Sequence, residues 1–200
     1  MTSQQHIVQL PFLGRRSYIQ GTTLFGCLWD FAPPDSEFSF KAVKFIRSDK
    51  IAVNVYEEAS SKPAAFDSIL NWRDAGRSGI VTAAAVSPSD RPARQEFDEG
   101  AIVALANFGP DSVRLESESP GAFVPTIVAL QKAFLLRTVR SSDSGQWIFT
   151  RLDMTHLPSR TAGLSIEVST YGPGRNTCKS DLKTGGVEVG SLYFAWIEKA

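Results

Sequence analysis

Apolar runs divide the chain into two halves, and each half contains one helix that is followed by strands. In the first half, residues 22–31 are apolar on almost every side, which predicts a buried helix that ends before Pro33-Pro34. Two partly alternating stretches follow, "FSFKAVKFIR" and "KIAVNVYEE", and the short Ser48-Asp49 step between them predicts a hairpin. The stretches "FDSILNWR" and "SGIVTAAAVS" predict a second hairpin that turns at Gly76.

The second half repeats this order. "FVPTIVALQKAFLLRTV" predicts a helix that tolerates Pro125 in its first turn, and before it "AIVALANF" and "SVRLESES" predict two short strands. "QWIFTRLDM", "AGLSIEVSTYG", "NTCKSDLKT" and "VEVGSLYFAWIE" predict four more strands, with a turn at Gly185-Gly186 before the last. The shared order favours an internal duplication over two unrelated α+β pieces. We therefore expect one unit at 1–88, a charged, proline-containing connector at 89–99 and a second unit at 100–200, in one compact double domain.

Composition and charge narrow the class of protein. The 200 residues carry 21 Lys and Arg against 21 Asp and Glu, so no basic excess exists to neutralise phosphates and we expect no nucleic-acid partner. No apolar window approaches the ~18 residues of a membrane span, so no membrane association is expected. The opening residues lack the pattern of a secretory signal, which predicts a cytoplasmic protein. Cys27 and Cys178 are then expected to be reduced, buried thiols rather than a disulfide.

One stretch carries a specific resemblance. "PFLGRRSYIQGTTLFGCLW" resembles the segment of polyketide and fatty-acid synthase dehydratase domains in which an HxxxGxxxxP motif precedes a Gly-Thr pair that opens the central helix. Gly21 and Thr22 match that pair, and Gln131 in "IVALQ" matches the glutamine of the DxxxQ motif on the second helix. The resemblance implies an α+β double hot dog, in which two tandem units each wrap a curved antiparallel sheet around a long buried helix. It also implies an acyl or polyketide thioester substrate, carried by acyl-carrier protein or coenzyme A.

The departures from that pattern concern the catalytic groups. With Gly21 aligned, Pro11 stands in the place of the motif's histidine, Gln20 in that of its proline and Ile127 in that of its aspartate. Dehydration of a 3-hydroxyacyl thioester needs a base for the α-proton and an acid for the departing hydroxyl. Proline and isoleucine can serve as neither. The resemblance therefore implies the family's shape without its standard His/Asp pair.

Several other residues could take part in acid–base chemistry or ligand binding. Each of them also has a purely structural interpretation. His6 lies in the predicted leading strand, either at a pocket mouth or as a partly exposed strand histidine. His156 lies in a loop close to Asp153, and the two either form an acid–base pair or are solvated. Gln131 either points into an acyl tunnel and fixes a bound group or faces solvent. Arg15-Arg16 either holds the phosphate of a phosphopantetheine arm or coenzyme A, or forms a solvated turn.

Three hypotheses remain open. The first is a dehydratase-like protein that binds or transforms acyl thioesters without the standard pair, as a lyase or isomerase if it is an enzyme. The second is a non-catalytic protein that binds a ligand or partner. The third is a hot-dog thioesterase in which Asp153 or another carboxylate activates water. No metal-ligand spacing or nucleotide-binding loop occurs, so neither a metal nor another cofactor is expected. Free sheet edges favour a homodimer.

Overall fold

Two units, Met1–Phe97 and Asp98–Ala200, each pack around their own core. The computed structural model describes residues 4–57, 65–139 and 145–198. Residues 89–97 of the predicted connector lie with the first unit, and its last two residues lie with the second. Each unit is described by itself below.

The first unit combines an antiparallel sheet with one helix of nine residues. The described strands of this sheet are β1 (Gln4–Gln9), β3 (Glu37–Ala42), β4 (Lys50–Tyr56), β5 (Ser68–Asp74) and β6 (Arg77–Ala85), in the order β1-β4-β6-β5-β3. The helix α1 (Gly21–Trp29) packs against β5 and β6. Two short strands, β2 (Phe12–Leu13) and β7 (Arg94–Gln95), pair in parallel beside this sheet.

The predicted helix and one of the two predicted hairpins are confirmed. α1 begins at Gly21 and ends at Trp29, before the two prolines. β5 and β6 form the second predicted hairpin, and Ala75 and Gly76 at its turn both have positive φ, 43° and 85°. Two such residues give the backbone twist that suits a two-residue hairpin turn, and glycine adopts it without strain.

The first predicted hairpin is wrong. β3 ends at Ala42 and pairs with β5, whereas β4 pairs with β1 and β6. The chain leaves the sheet after Ala42, where the Val43 and Lys44 amides both donate to the Asp67 carbonyl. Alternation therefore identified the two strands correctly but not their partners, which lie far away in sequence. The last residue of the second stretch, Glu58, lies outside the described residues.

Aromatic side chains fill the core of the first unit. The Phe25 ring on α1 lies 5.3 Å from the Phe38 ring and 5.6 Å from the Phe40 ring, measured between centroids. All three side chains are almost completely buried, and so is Leu28 on the same helix. Burying a side chain of this size contributes about 1.5–3 kcal/mol, so this helix–sheet contact is a main source of the unit's stability.

The second unit has a longer helix and a longer sheet. Its described α-helices are α2 (Glu99–Val103) and α3 (Phe123–Thr138). Its described strands are β8 (Ala106–Phe108), β9 (Ser112–Leu115), β10 (Gly145–Met154), β11 (Leu164–Tyr171), β12 (Thr177–Thr184) and β13 (Val187–Glu198), in the order β8-β9-β11-β12-β13-β10. The long helix and the four strands that follow it are confirmed as predicted.

The strand predicted over residues 101–108 is only partly right. Its second half is β8, but its first half belongs to α2, whose first turn is capped by the Asp98 carboxylate. That carboxylate accepts a hydrogen bond from the Ala101 amide at 3.1 Å. An aspartate at this position satisfies an amide that the helix itself leaves unpaired, and it therefore favours a helix over an extended strand.

The two units share the placement of their outer strands but not of their inner ones. In each, the last strand of the main sheet before the helix (β1 before α1, β9 before α3) pairs with the second strand after it (β4 or β11). The first strand after the helix (β3 or β10) lies at the opposite end of the unit's strand order. The two inner strands appear as β6-β5 in the first unit and as β12-β13 in the second. A duplication would therefore have to include an exchange of these two strands.

An irregularity in β10 changes which side chains face the core. Pairing with β13 shifts register between Phe149 and Arg151. Before the shift Trp147 and Phe149 are buried, and after it Leu152 and Met154 are buried. The bulge therefore moves the core-facing set from odd to even positions.

One carboxylate in each unit holds distant loop segments together through hydrogen bonds. In the first unit, the buried Asp49 accepts from the Ser89 amide and from the Gln9 side chain, each at 2.8 Å, and from the Ser89 hydroxyl. In the second, Glu118 accepts from the Thr161 amide at 2.7 Å and from its hydroxyl at 3.0 Å. These bonds favour the charged form, so the pKa of each carboxyl lies below its usual value.

Candidate functional site

The turn before α1 is fixed by backbone contacts. Gly14 has a φ of 57°, a left-handed conformation that glycine adopts without strain. The Arg94 guanidinium donates to the carbonyls of Gly14 at 2.8 Å and Arg16 at 3.1 Å. Gly21 then starts the helix, and the buried Thr22 hydroxyl donates to the Gln20 side chain at 3.4 Å. The helix therefore begins at Gly21 and Thr22, the pair at which the resemblance places its start.

The same turn carries a cluster of cations, of which the sequence had indicated only Arg15 and Arg16. The Ile19 amide donates to the Ile46 carbonyl at 2.8 Å, which brings the segment after β3 alongside the turn. The Tyr18 and Phe45 rings meet edge to face with centroids 4.8 Å apart. We call this surface the basic face and define it by the ring pair and the surrounding cations Arg15, Arg16, Lys44, Arg47 and Arg94. The spacing Lys44-Phe45-Ile46-Arg47 was the signal that could have identified it.

The positions that correspond to the dehydratase acid and base hold groups that cannot transfer protons. Pro11 is half-buried at the end of the leading strand. Ile127 is fully buried on α3. Beside it, Thr126 is also fully buried, and its hydroxyl lies 2.8 Å from the Ser119 hydroxyl and 3.3 Å from the Gly121 carbonyl. This threonine therefore fastens the segment before α3 to the helix.

His6 has a packing role. It lies on β1 opposite Val53, and its ring centroid lies 5.0 Å from that of Phe31, just after α1. The side chain is partly exposed. The contact places the histidine beside the carboxyl end of the helix, whereas the predicted pocket approach precedes its amino end.

Asp153 and His156 each contact another residue of the second unit. Because of the bulge, Asp153 lies on the opposite face of the sheet from the buried Leu152 and Met154. Its carboxylate accepts from the Arg151 guanidinium at 2.7 Å. His156 is exposed in the following loop, where its Nδ1 lies 3.2 Å from the Thr155 hydroxyl. Asp153 therefore forms an ion pair with Arg151 on the face of the sheet that points away from the core.

Gln131 is a buried polar residue of the second unit. It is only 1% exposed, and its side-chain amide donates to the Ser180 hydroxyl at 2.7 Å and to the Cys178 sulfur at 3.5 Å. Of the two interpretations of Gln131, the one in which it faces solvent is wrong, because the side chain turns toward β12 inside the unit. Its acceptor oxygen, Oε1, is buried and receives no hydrogen bond from the residues that the structure describes. A buried acceptor without a donor is uncommon and marks a position that a bound group could satisfy.

The cysteines are poor nucleophiles. Both are buried and free, Cys27 on α1 and Cys178 on β12. Burial, with a smaller contribution from Asp30, raises the pKa of the Cys27 thiol to about 11. Burial also raises the pKa of Cys178, against the lowering effect of its hydrogen bonds to Ser180 and Gln131. Both thiols therefore stay protonated at neutral pH and lack the thiolate that covalent catalysis needs.

The described ranges contain neither a metal-ligand cluster nor a membrane-spanning helix. Residues 4–57, 65–139 and 145–198 contain no group of three or more His, Cys, Asp and Glu side chains that could hold a metal ion. In the same part of the chain, no helix has both the length and the apolar composition needed to cross a bilayer.

Solved structures with a similar fold identify the architecture. A candidate thioesterase II from Thermobifida fusca YX matches with a TM-score of 0.51 and 12% identity, over 96% of this chain and 92% of that one. Erythromycin dehydratase matches with a TM-score of 0.51 and 11% identity, over 98% of this chain and 90% of that one. No family model and no curated protein sequence matches the chain.

These likenesses define the fold class. The chain has the α+β double hot-dog fold, with one long helix and an antiparallel sheet in each unit, and it resembles the fold of dehydratase domains. The predicted double hot-dog fold and the predicted resemblance to dehydratase domains are both confirmed. At 11–12% identity the likeness extends to the fold alone, and the chemistry has to be argued from the residues of this chain.

Proposed function

We propose that the protein binds acyl or polyketide thioesters and does not itself dehydrate or hydrolyse them. The observation that carries the proposal is the fully buried Ile127 on α3, in the place that the dehydratase resemblance gives to the acid. An aliphatic side chain there retains the apolar surface suited to an acyl chain while removing the proton donor. Pro11 in place of the base supports the same conclusion.

The placement of the remaining candidates supports binding over catalysis. Asp153 is paired with Arg151 on the sheet face away from the core, where it is poorly placed to activate water for a thioesterase reaction. His6 packs on an aromatic ring. His156 is exposed beside Thr155. A general base needs hydrogen-bond reach to the proton that it removes, and none of these three is held against the buried helix face of its own unit.

Two groups would contribute to ligand binding. Gln131 would accept a hydrogen bond from a hydroxyl or amide of the ligand through its otherwise unsatisfied Oε1. Arg15 and Arg16, at the turn before α1, would hold the phosphate of coenzyme A or of a carrier-bound phosphopantetheine arm. Gly21 and Thr22 would position the start of the helix beside that turn. These assignments require no metal or other cofactor.

Native mass spectrometry tests the proposal directly. The purified protein is mixed with 3-hydroxyacyl, enoyl and saturated acyl thioesters of coenzyme A, carrier protein and pantetheine, and the spectrum is followed over hours. We expect a complex whose ligand mass stays constant. Free coenzyme A and pantetheine are the matched controls, because they lack only the acyl group. The same spectra report whether the protein is the homodimer that free sheet edges favour.

Each other outcome identifies a different function. Loss of one water from a bound 3-hydroxyacyl thioester would show a dehydratase whose acid and base lie elsewhere. Release of the free acid would show a thioesterase. Failure of every acyl thioester to bind more tightly than its acyl-free control would contradict the proposal and leave only the fold.

A further inference from the structure

Residues 43–47 leave the first sheet after β3 and present both apolar and cationic side chains to solvent. We propose that this 43–47 segment adsorbs to the surface of an anionic membrane, with Val43 and Phe45 entering the lipid interface. The proposal goes beyond thioester binding and does not depend on it. The expectation of no membrane association rests on the lack of a membrane-length apolar run, whereas adsorption needs only a few exposed apolar and basic side chains.

Hydrogen bonds at both ends hold the 43–47 segment in place. At its start, the amides of Val43 and Lys44 donate to the Asp67 carbonyl at 2.8 Å and 3.1 Å. Toward its end, the Ile46 carbonyl accepts from the Ile19 amide at 2.8 Å, and the Ile46 side chain is buried. The segment is therefore pre-formed, so it loses little conformational entropy when it meets a surface.

Two apolar side chains of the segment face solvent. Six large apolar side chains are exposed in the part of the chain that the structure describes, and two of these six, Val43 at 54% and Phe45 at 41%, stand in this one segment. The Phe45 ring also contacts the Tyr18 ring, with 4.8 Å between their centroids. Tyrosine is enriched at membrane interfaces, because its ring is apolar and its hydroxyl stays hydrated. These side chains therefore suit a lipid interface.

Cations surround the apolar side chains in a chain of zero net charge. The Lys44 side chain is 71% exposed, and Arg47 is exposed as well. Asp67 lies 4.0 Å from Lys44, but its second oxygen accepts from the Ala85 amide at 2.8 Å, and an exposed pair at that distance neutralises little of the potential. The remaining cations of the basic face add charge of the same sign, and basic residues are attracted to anionic lipid headgroups.

The combination of side chains favours a lipid surface over a soluble polyanion. A free phosphate compound would use the cations and leave Val43 and Phe45 in water. A single-stranded nucleic acid would stack its bases on the rings but gain nothing from the aliphatic Val43. On an anionic membrane the headgroups pair with the cations while the apolar side chains enter the interface, so both kinds of side chain gain a partner.

Vesicle sedimentation with matched variants tests this inference. The probes are vesicles of phosphatidylcholine alone and vesicles of equal parts phosphatidylcholine and phosphatidylserine. Lys44→Glu/Arg47→Glu reverses the charge of the segment, Phe45→Ser removes its ring, and Phe45→Leu keeps an apolar group there. None of these variants changes Arg15 or Arg16. The urea unfolding midpoint shows that each variant is folded, and the charge-reversal variant alters only exposed side chains, so it keeps the test decisive if Phe45→Ser does not fold.

Two control variants carry the same changes at other surfaces. Arg73→Glu/Arg114→Glu changes the net charge equally at exposed arginines on β5 and β9. Val187→Ser removes an exposed apolar side chain from the start of β13. Both control variants should bind the anionic vesicles as the wild type does.

We expect the wild type to sediment with the anionic vesicles and to stay in solution with phosphatidylcholine alone. The charge-reversal variant should lose affinity for the anionic vesicles by about tenfold or more, because two attractive contacts become repulsive. Phe45→Ser should lose about fivefold, because the exposed part of the ring no longer leaves water, whereas Phe45→Leu should retain most of the affinity. Added salt should weaken wild-type binding. Acyl-pantetheine, an uncharged thioester, should bind all of these variants equally, so a failure of adsorption is distinguishable from a failure of the proposed function.

Several results would overturn the inference. One is a wild type that does not sediment with the anionic vesicles, or that sediments equally with phosphatidylcholine alone. Another is full affinity of either the charge-reversal variant or a folded Phe45→Ser, since the membrane contact would then lie elsewhere. Control variants that lose as much affinity as the segment variants would show that only net charge and overall hydrophobicity matter. Displacement of the vesicles by an oligothymidylate or by polyglutamate would show a site for polyanions in general.

Discussion

The buried amide of Gln131 allows a test that separates stability from ligand binding. Its Oε1 atom lacks a donor among the described residues, and such a group costs about 1–3 kcal/mol. The Gln131→Met substitution removes this cost with little change in volume. It also leaves the buried Ser180 hydroxyl without its 2.7 Å donor, which offsets part of the gain. The double variant Gln131→Met/Ser180→Ala removes both polar groups together.

For the double variant we expect a free energy of unfolding about 1 kcal/mol higher than that of the wild type, because the lost hydrogen bond is worth only ~1 kcal/mol. In a chain of this size the melting temperature should rise by roughly 2–4 °C. Urea unfolding followed by tryptophan fluorescence measures the change, with Ser180→Ala alone as control. Affinity for acyl-pantetheine should fall in the same protein, because the proposed acceptor is gone.

Either half of the result can refute the reasoning. A double variant that is less stable by 1 kcal/mol or more would show that Oε1 is satisfied in the wild type, for instance by an ordered water. A double variant that binds acyl-pantetheine as the wild type does would remove Gln131 from the binding site. Greater stability with weaker binding is the signature of a polar group retained for function.

Three further predictions concern single substitutions. The pKa of Asp49 is lower in the folded protein than in the unfolded chain. Its carboxylate therefore stabilises the fold at pH values above its pKa in the unfolded chain, and this stabilisation is lost as the pH falls through its pKa in the folded protein. Asp49→Asn should flatten this acid dependence of the urea midpoint, and a wild-type slope in the variant would contradict the Ser89 contacts. Asp153→Asn should change stability by less than about 1 kcal/mol and leave acyl-thioester binding intact; lost binding in calorimetry would return this residue to the site. Gly26→Ala should stabilise the exposed face of α1 by about 0.5–1 kcal/mol. Gly79→Ala should destabilise the unit by more than ~2 kcal/mol, because its new Cβ would lie 2.5 Å from the Trp72 indole ring; equal thermal shifts would contradict this.

The sequence was sufficient for the elements that depend on local patterns. The apolar pattern of α3 and the turn of the β5–β6 hairpin depend only on residues close together in the sequence. Both predictions were correct. The pairing of β3 and β4 was not predictable in this way. Alternation shows that a segment is a strand, but its partner depends on contacts with residues far away in the chain. The helix α2 was overlooked because five residues are too few for a helical period, although Asp98 was available as its cap.

The candidate site was harder to predict, and Asp153 shows why. Counting by twos from Trp147 would place this carboxylate on the core face with the aromatic residues. The bulge after Phe149 adds one residue to β10 and reverses every later side chain, so Asp153 faces outward. No feature of the sequence marks that bulge. The unsatisfied atom of Gln131 could likewise not be foreseen, because it depends on which hydroxyl and sulfur atoms lie opposite the helix.

The distribution of the two cysteines has a practical consequence. Each unit holds one buried thiol whose pKa is raised above its ordinary value, so a thiol-alkylating reagent should modify neither of them while the native packing persists. Modification then requires local or global opening, and its rate measures how often that opening occurs. Because Cys27 and Cys178 give different peptides after digestion, a single labelling time course would report the opening of each unit separately. The native chain thus contains its own pair of reporters for whether the two hot dogs unfold together or one before the other.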